Sequence, residues 1–376
     1  MLAMNSETKA PASETPAVRV PFTQASREHT EGAFFDATVN AATFASGPTT
    51  IGPFDVPAFG YARDLLLLVE ASGGAAGGQN AAAKPDAPWS VIRSIALVDV
   101  NGAPIVGPFS GYDLMLANKW GGYAFEGDLT KLPAYSGVAT SGDFSFLIRV
   151  PLEIVAREAY GALANMNASS TYKLQITIAD DSDVYSTAPG TLPSVRVRGW
   201  LEAWAEPAAQ DPQGNPQEQE PSGLGTTQYW SKATYSIANG ANTVRLARVG
   251  NLIRTLILVF RDSGGAREGD TFADPIQLHL DGRIVFNEGQ LIRRSLMAER
   301  YGYQLASIAN ADADEGVIVY DFSHDFDGKP GGELGELWLP TVQSSRLEIV
   351  GSFGEAGSLE VITNDIAPAA LIRRSN

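Results

Sequence analysis

The sequence predicts an all-β protein built as two tandem eight-stranded jelly rolls, a double jelly roll, with short helices in the loops. Three observations predict it. Apolar runs are short and end in Gly, Pro, Asn or Asp. Several of them alternate with period two, the spacing that puts one set of side chains on a buried face and the other on a wet face. The second half of the chain also echoes the first, segment by segment and in the same order.

The strands of the first half can be taken in turn. Leu65–Val69 runs into Ser72-Gly73-Gly74, and Ile92–Val100 runs into Asn101-Gly102. Phe144–Val150 stops at Pro151. Tyr172–Ile178 alternates cleanly and stops at Ala179-Asp180-Asp181, and Val195–Trp204 begins with the same alternation. Gly and Asn supply the left-handed backbone that tight turns between such strands need. In the second half, strand text covers Val244–Ala247, Leu252–Phe260, Ile276–Leu280, Val317–Phe322, Leu347–Val350 and Leu359–Thr363.

The repeat links these segments. Tyr61–Glu70 corresponds to Asn251–Phe260, and both lead into Ser-Gly-Gly. Leu97–Gly102 corresponds to Leu278–Gly282, so that Asn101-Gly102 matches Asp281-Gly282, the two strongest dipeptide signals for a two-residue hairpin turn. Each turn is followed by a stretch of helical character, Gly111–Tyr123 and Gly289–Tyr303, with clustered Leu and Met, an aromatic residue, and then Gly121 or Gly302 suited to the position just past a helix end. Finally, Gly161–Leu163 and Ser169–Ile176 match Gly335–Leu337 and Ser344–Ile349. The length left over in each copy suits eight strands better than an immunoglobulin-type sandwich of about 100 residues.

The clearest boundary is Glu206–Gly223, with four prolines and almost no apolar side chain, which reads as a linker or long exposed loop. The expected organisation is an N-terminal arm over residues 1–33, a first jelly roll over 34–206, a Pro-rich linker over 207–226, a second jelly roll over 227–368 and a C-terminal tail over 369–376. Pro11, Pro16 and Pro21 keep the arm from settling into a helix, so it is either a frayed terminus or a segment that orders against a neighbour.

Composition narrows the chemistry. The chain of 376 residues has 27 Lys+Arg against 43 Asp+Glu, a formal net charge of −16, three His and no Cys. Without Cys there is no disulfide framework, thiol nucleophile, thiolate zinc site or iron–sulfur cluster. An acidic chain is poorly suited to neutralising phosphates, so direct nucleic-acid binding is not expected. The apolar runs Leu65–Val69 and Leu256–Phe260 are far short of the ~20 residues of a spanning helix. Met1–Ser6 has no apolar signal region, so synthesis in a host cytoplasm is expected.

No catalytic, cofactor or metal site is assigned. Asp180–Asp183 and Asp321–Gly328 offer hard oxygen ligands for calcium or are solvated acidic turns, and the best calcium-loop register, from Asp325, fails at Lys329 and Pro330. His324 has no second His nearby. Gly73–Gly78 lacks the Lys-Ser/Thr of a phosphate loop and reads as a flexible loop. Trp200 and Trp204 share one strand face, with Leu201 and Ala203 opposite, as sheet packing or as a carbohydrate platform. Arg293-Arg294 and Arg373-Arg374 are the two dibasic pairs. The second is a solvated tail or a contact to an acidic neighbour or a lipid surface.

Two features carry a resemblance: the run Pro151–Ile154 … Tyr160–Asn167 … Tyr172–Ile176, and the paired Asn101-Gly102 and Asp281-Gly282 units, each followed by a helix. Over residues 34–368 the chain resembles the double jelly-roll major capsid proteins of tailless icosahedral double-stranded DNA phages with an internal membrane, the tectivirus-like group distantly related to the adenovirus hexon. The resemblance implies a structural, non-enzymatic virion protein. It implies a homotrimer forming a pseudo-hexameric block that meets neighbouring capsomers and vertex and minor capsid proteins, with an N-terminal arm towards an inner membrane. The arm here is neither long nor strongly basic. The alternative is a tandem jelly-roll carbohydrate-binding protein or a glycan-processing amidase or hydrolase.

Overall fold

The computed structural model describes residues 22–30, 32–124, 135, 137–154, 159–215, 219–221, 223–303, 313–323 and 338–367. Sixteen principal strands and two principal helices organise it. In the first half these are β1 (Phe35–Val39), β2 (Thr49–Thr50), β3 (Tyr61–Ser72), β4 (Ile92–Val98), β5 (Pro104–Phe109), α1 (Gly111–Trp120), β6 (Phe144–Pro151), β7 (Lys173–Ile178) and β8 (Ser194–Trp204). In the second they are β9 (Thr227–Ile237), β10 (Gly240–Arg245), β11 (Leu252–Asp262), β12 (Ile276–Leu280), β13 (Arg283–Glu288), α2 (Gln290–Tyr301), β14 (Val317–Asp321), β15 (Leu347–Phe353) and β16 (Gly357–Ala367).

The first half forms two facing sheets, β1-β8-β3-β6 and β2-β7-β4-β5. The second repeats them strand for strand as β9-β16-β11-β14 and β10-β15-β12-β13. The two sheets of each half have the strand order of an eight-stranded jelly roll, and the helix follows the fifth strand in each copy. The duplication read from sequence is therefore a duplication of topology.

Period-two alternation places the cores. Leu174, Ile176 and Ile178 of β7 and Val195, Val197, Leu201 and Ala203 of β8 point inward, with Leu65, Leu67 and Val69 of β3 between them. The second core is centred on Leu256, Leu258 and Phe260 of β11 with Leu278, Ile318, Ile349 and Phe353.

Turn chemistry matches expectation in one copy and departs from it in the other. Asp281 (φ 49°) and Gly282 (φ 80°) form a two-residue hairpin turn in left-handed backbone. The Asn101-Gly102 unit instead sits in a longer loop. Gly102 N–H donates to Asp99 O, and the Asp99 carboxylate accepts from the Asn101 and Ala103 amides at 2.8 Å each, so side-chain bonding by Asp99 sets the loop length. Gly302 ends α2 in left-handed backbone as expected. Gly121 does not: its φ is −90°, and the left-handed residue is Gly122. Gly121 is required for space, since a Cβ there would lie 2.4 Å from Ala117 O and 3.0 Å from the Trp230 ring.

The Gly73–Gly78 segment, expected to be flexible, is exposed at its ends but anchored in its middle. A Cβ on Gly74 would stand 2.1 Å from Ser141 O, and Ala75 exchanges backbone hydrogen bonds with Thr191.

Candidate assembly surface

The two barrels are joined by one continuous sheet. Edge strand β5 of the first barrel meets edge strand β9 of the second in a parallel pairing, Val106 opposite Trp230. The resulting ten-stranded sheet runs from β14 through the joint to β2, with the short strands Phe54–Asp55 and Leu339–Pro340 at its margins. Trp230 is 1% exposed, so the pairing is part of the core rather than a surface touch.

The outer face of β9-β16-β11-β14 lies under the first barrel. Ile257, Val259, Val317, Val319 and Ile362 are buried on it and belong to the same apolar cluster as α1 and the first core. This explains why Leu256–Phe260 reads as a continuous apolar run: alternate residues serve the second core and the joint, so both faces are dry. It also explains α1, which is buried along its whole length from Gly111 to Trp120 between its own barrel and the next.

A polar network fixes the register of the joint. A capping box starts α1: the Ser110 hydroxyl accepts from Asp113 N–H at 3.1 Å, and the Asp113 carboxylate accepts from Ser110 N–H at 2.8 Å. The same carboxylate takes an ion pair from Lys232 of β9 at 2.5 Å. Burial opposes the charge on Lys232, but Asp113 and Glu360 outweigh it and hold its pKa above the ordinary lysine value. Six residues on, Lys119 pairs with Asp314 at 2.6 Å, both buried. Tyr112 donates to Ala313 O at 2.7 Å, and burial pushes its phenol pKa up.

Asp86 of the first barrel receives Arg261 at 2.8 Å and Arg267 at 2.7 Å, and Arg267 also donates to Glu315 O and Pro85 O. Gln228 donates to Leu152 O and Glu153 O while accepting from Asn364. Tyr301 of α2 donates to Trp120 O at 2.6 Å, and Arg254 donates to Gly121 O at 3.1 Å. These contacts cross from one half of the sequence to the other, except those of Asn364 with Gln228 and of Arg267 with Glu315.

The residues weighed for chemistry have structural work. Asp180 caps the short helix Asp181–Val184, accepting from Ser182 N–H at 2.9 Å, and Asp183 pairs with Arg93. Buried Asp321 accepts from Arg300, Tyr301 and Ser323. Leu201 and Ala203 are core, as their alternation predicts. Trp204 on the other face is buried against Phe22 and Tyr61, with its Nε1–H donating to Glu153 at 2.7 Å and Arg63 stacked over its ring. Trp200, half-buried, lies beside Arg198 on the outer face. Arg293 stacks on Phe286 and pairs with Glu288 at 2.9 Å. His29 stacks on Phe59, and His279 bonds Gln277.

His324, the rest of the acidic turn from Asp325 to Gly328, the arm over 1–20 and Arg373-Arg374 lie outside the described residues. Among the described residues no group of three or more acidic or His side chains is placed to hold a metal, and no helix is long and apolar enough to cross a membrane.

No sequence-family description and no curated protein sequence matches the chain. Solved structures do. The chain is similar to the STIV MCP, at 13% identity, TM-score 0.59 and coverage of 93% of this chain and 99% of that one. It is similar to the major capsid protein P2 from bacteriophage PM2, at 12% identity, TM-score 0.54 and coverage of 91% and 98%. It is also similar to the Faustovirus major capsid protein, at 11% identity, TM-score 0.51 and coverage of 98% and 92%. At these identities the likeness is one of fold, and it extends over both barrels and the joint.

Proposed function

We propose that this chain is a structural virion protein, the major capsid protein of an icosahedral shell, without enzymatic activity. The observation that carries the reading is the duplicated jelly roll joined through one continuous sheet, an arrangement that matches major capsid proteins over nearly the full length of both partners. A shell subunit needs rigid blocks with complementary sides rather than a reactive centre. Two equivalent barrels held by a buried joint supply such a block, and three copies arranged head to tail give six similar barrels around one axis.

On this reading the trimer is the capsomer, and its neighbours are further capsomers and vertex and minor capsid proteins. The arm over 1–33 docks on its own first barrel through Phe22 and the Glu28–Thr30 strand, and its residues 1–20 with the tail over 369–376 face an inner membrane or adjacent blocks, with the linker over 207–226 between jelly rolls 34–206 and 227–368. The net charge of −16 fits a shell that does not touch the genome directly. Light scattering tests the reading: a stable particle of about three times 39.9 kDa is expected, with hexagonal blocks or closed shells in negative-stain images. A strict monomer that never assembles would sink it.

A further inference from the structure

We propose that Asn101 is a self-modification site: its side-chain amide is lost to the backbone of Gly102, leaving an aspartate or isoaspartate in the β4–β5 loop, at a rate that Asp99 restrains. This is independent of the shell reading.

The chain has two Asn-Gly pairs, Asn101-Gly102 and Asn239-Gly240. Both asparagines are exposed, and a Cβ at either glycine would meet nothing within 4 Å, so solvent access and steric freedom are alike. The side chains differ. Asn239 Nδ2 donates to Gly354 O at 3.0 Å, which ties its amide to the turn between β15 and β16. The side-chain amide of Asn101 makes no hydrogen bond and is free to turn towards its own backbone.

Asp281-Gly282, the counterpart of Asn101-Gly102 in the second barrel, is a third comparison. The Asp281 carboxylate accepts from the Ser345 and Arg346 amides at 3.0 Å each and from the Ser345 hydroxyl at 3.2 Å. These donors, led by the Ser345 amide, hold its carboxyl below the usual carboxylate range. An ionised and tethered carboxylate is a poor target for a nucleophile. Of the three pairs, only Asn101-Gly102 joins a free, neutral electrophile to an unhindered glycine nitrogen.

The reaction needs no cofactor and no oxidant. The Gly102 nitrogen attacks Cγ of Asn101. The N–Cγ bond forms, the Cγ–Nδ2 bond breaks, and ammonia leaves with the proton of the Gly102 amide. Water then opens the five-membered imide. Cleavage of the new N–Cγ bond leaves an aspartate at position 101. Cleavage on the main-chain side leaves an isoaspartate, with the chain running through Cγ. Either product adds one negative charge.

Asp99 opposes the first step. Its carbonyl accepts from Gly102 N–H at 3.0 Å, which occupies the attacking nitrogen, and its Oδ1 accepts from the Asn101 and Ala103 amides at 2.8 Å each. The nearby carboxylate also disfavours the amide anion that attacks. The loop from Val100 to Pro104 is exposed throughout, so these bonds open locally while the barrel stays folded. The isoaspartate product carries an extra main-chain methylene, and Asp99 can then no longer hold the amides on both sides of it.

The test is ageing of the full-length protein in mildly alkaline buffer. Peptides are read by mass spectrometry, and isoaspartate by methyl labelling with an isoaspartyl methyltransferase. A mass gain of one dalton and a methyl label are expected on the peptide carrying Asn101. Asn239 should react more slowly by about fivefold or more, the factor that one such hydrogen bond is worth. Asp99→Ala should speed the reaction at Asn101 by about fivefold or more. Asn101→Gln should remove the label. In urea the two Asn-Gly pairs should react at the same rate, because only the fold distinguishes them. No gain at Asn101 in folded protein, or equal rates at Asn101 and Asn239 there, overturns the site. An unchanged rate in Asp99→Ala overturns the restraint.

Discussion

Lys119 and Asp314 meet at 2.6 Å across the joint between the barrels, and both are buried. They lie 195 residues apart in the chain, so their pairing is a direct report on how the two halves are seated. Removing one partner leaves the other charge buried and uncompensated, at a cost of about 3–5 kcal/mol. Asp314→Asn is expected to show that loss in urea unfolding. The double variant Lys119→Met/Asp314→Leu is expected to be less destabilised than Asp314→Asn, because no charge then remains in the joint.

Gly121 holds close approach rather than a special backbone angle. Gly121→Ala puts a methyl 2.4 Å from Ala117 O and 3.0 Å from Trp230, a clash at the joint expected to cost about 1–3 kcal/mol. Gly282→Ala meets no neighbour within 4 Å and carries only the strain of φ 80°, expected to be about 1 kcal/mol. Denaturant midpoints of the two variants should fall in that order.

Val259 and Leu68 occupy equivalent places but differ in cover. Val259→Asp buries a lone carboxylate in the joint and is expected to cost about 4 kcal/mol or more. Leu68→Asp is expected to cost about 1 kcal/mol or less. Melting temperature separates the two.

Asp64 supplies a pH dependence. Burial raises its carboxyl pKa from 3.8 to about 8, against the opposing pull of Arg149 and with the support of neighbouring Glu202. The folded chain therefore binds this proton more tightly than the unfolded chain. Its contribution to stability is complete below about pH 3.8 and is lost as pH rises through about 8. Asp64→Asn should flatten the difference in unfolding free energy across that window relative to wild type. An unchanged slope would show that Asp64 is ionised throughout.

The halves are expected to be interdependent. A fragment beginning at residue 227 exposes Ile257, Val259, Val319 and Ile362, all of which are buried in the full chain. Such a fragment should aggregate or bind a hydrophobic dye, whereas full-length protein should unfold in one transition by calorimetry.

The alternation in Lys173–Ile178 and Ser194–Trp204, the Asp281-Gly282 turn and the repeat were legible from sequence because each is set by neighbours within a few residues. Those local rules determine the strands, their inward faces and the duplication, and hence the double jelly roll. The helical character of Gly111–Tyr123 and Gly289–Tyr303 was legible for the same reason, but not the fact that α1 is sealed on every side while α2 keeps an apolar stripe open.

That difference comes from contacts between residues far apart in the chain. Nothing local in Lys119, Gln228 or Arg254 distinguishes a joint residue from a solvated one. A continuous apolar run such as Leu256–Phe260 does signal a strand dry on both faces, but not what covers the second face. The sequence by itself determined two equivalent barrels in an acidic, Cys-free chain. Only the tertiary structure decided that one barrel's outer sheet is buried by the other while its twin is left open, because long-range packing breaks the equivalence that local patterning creates.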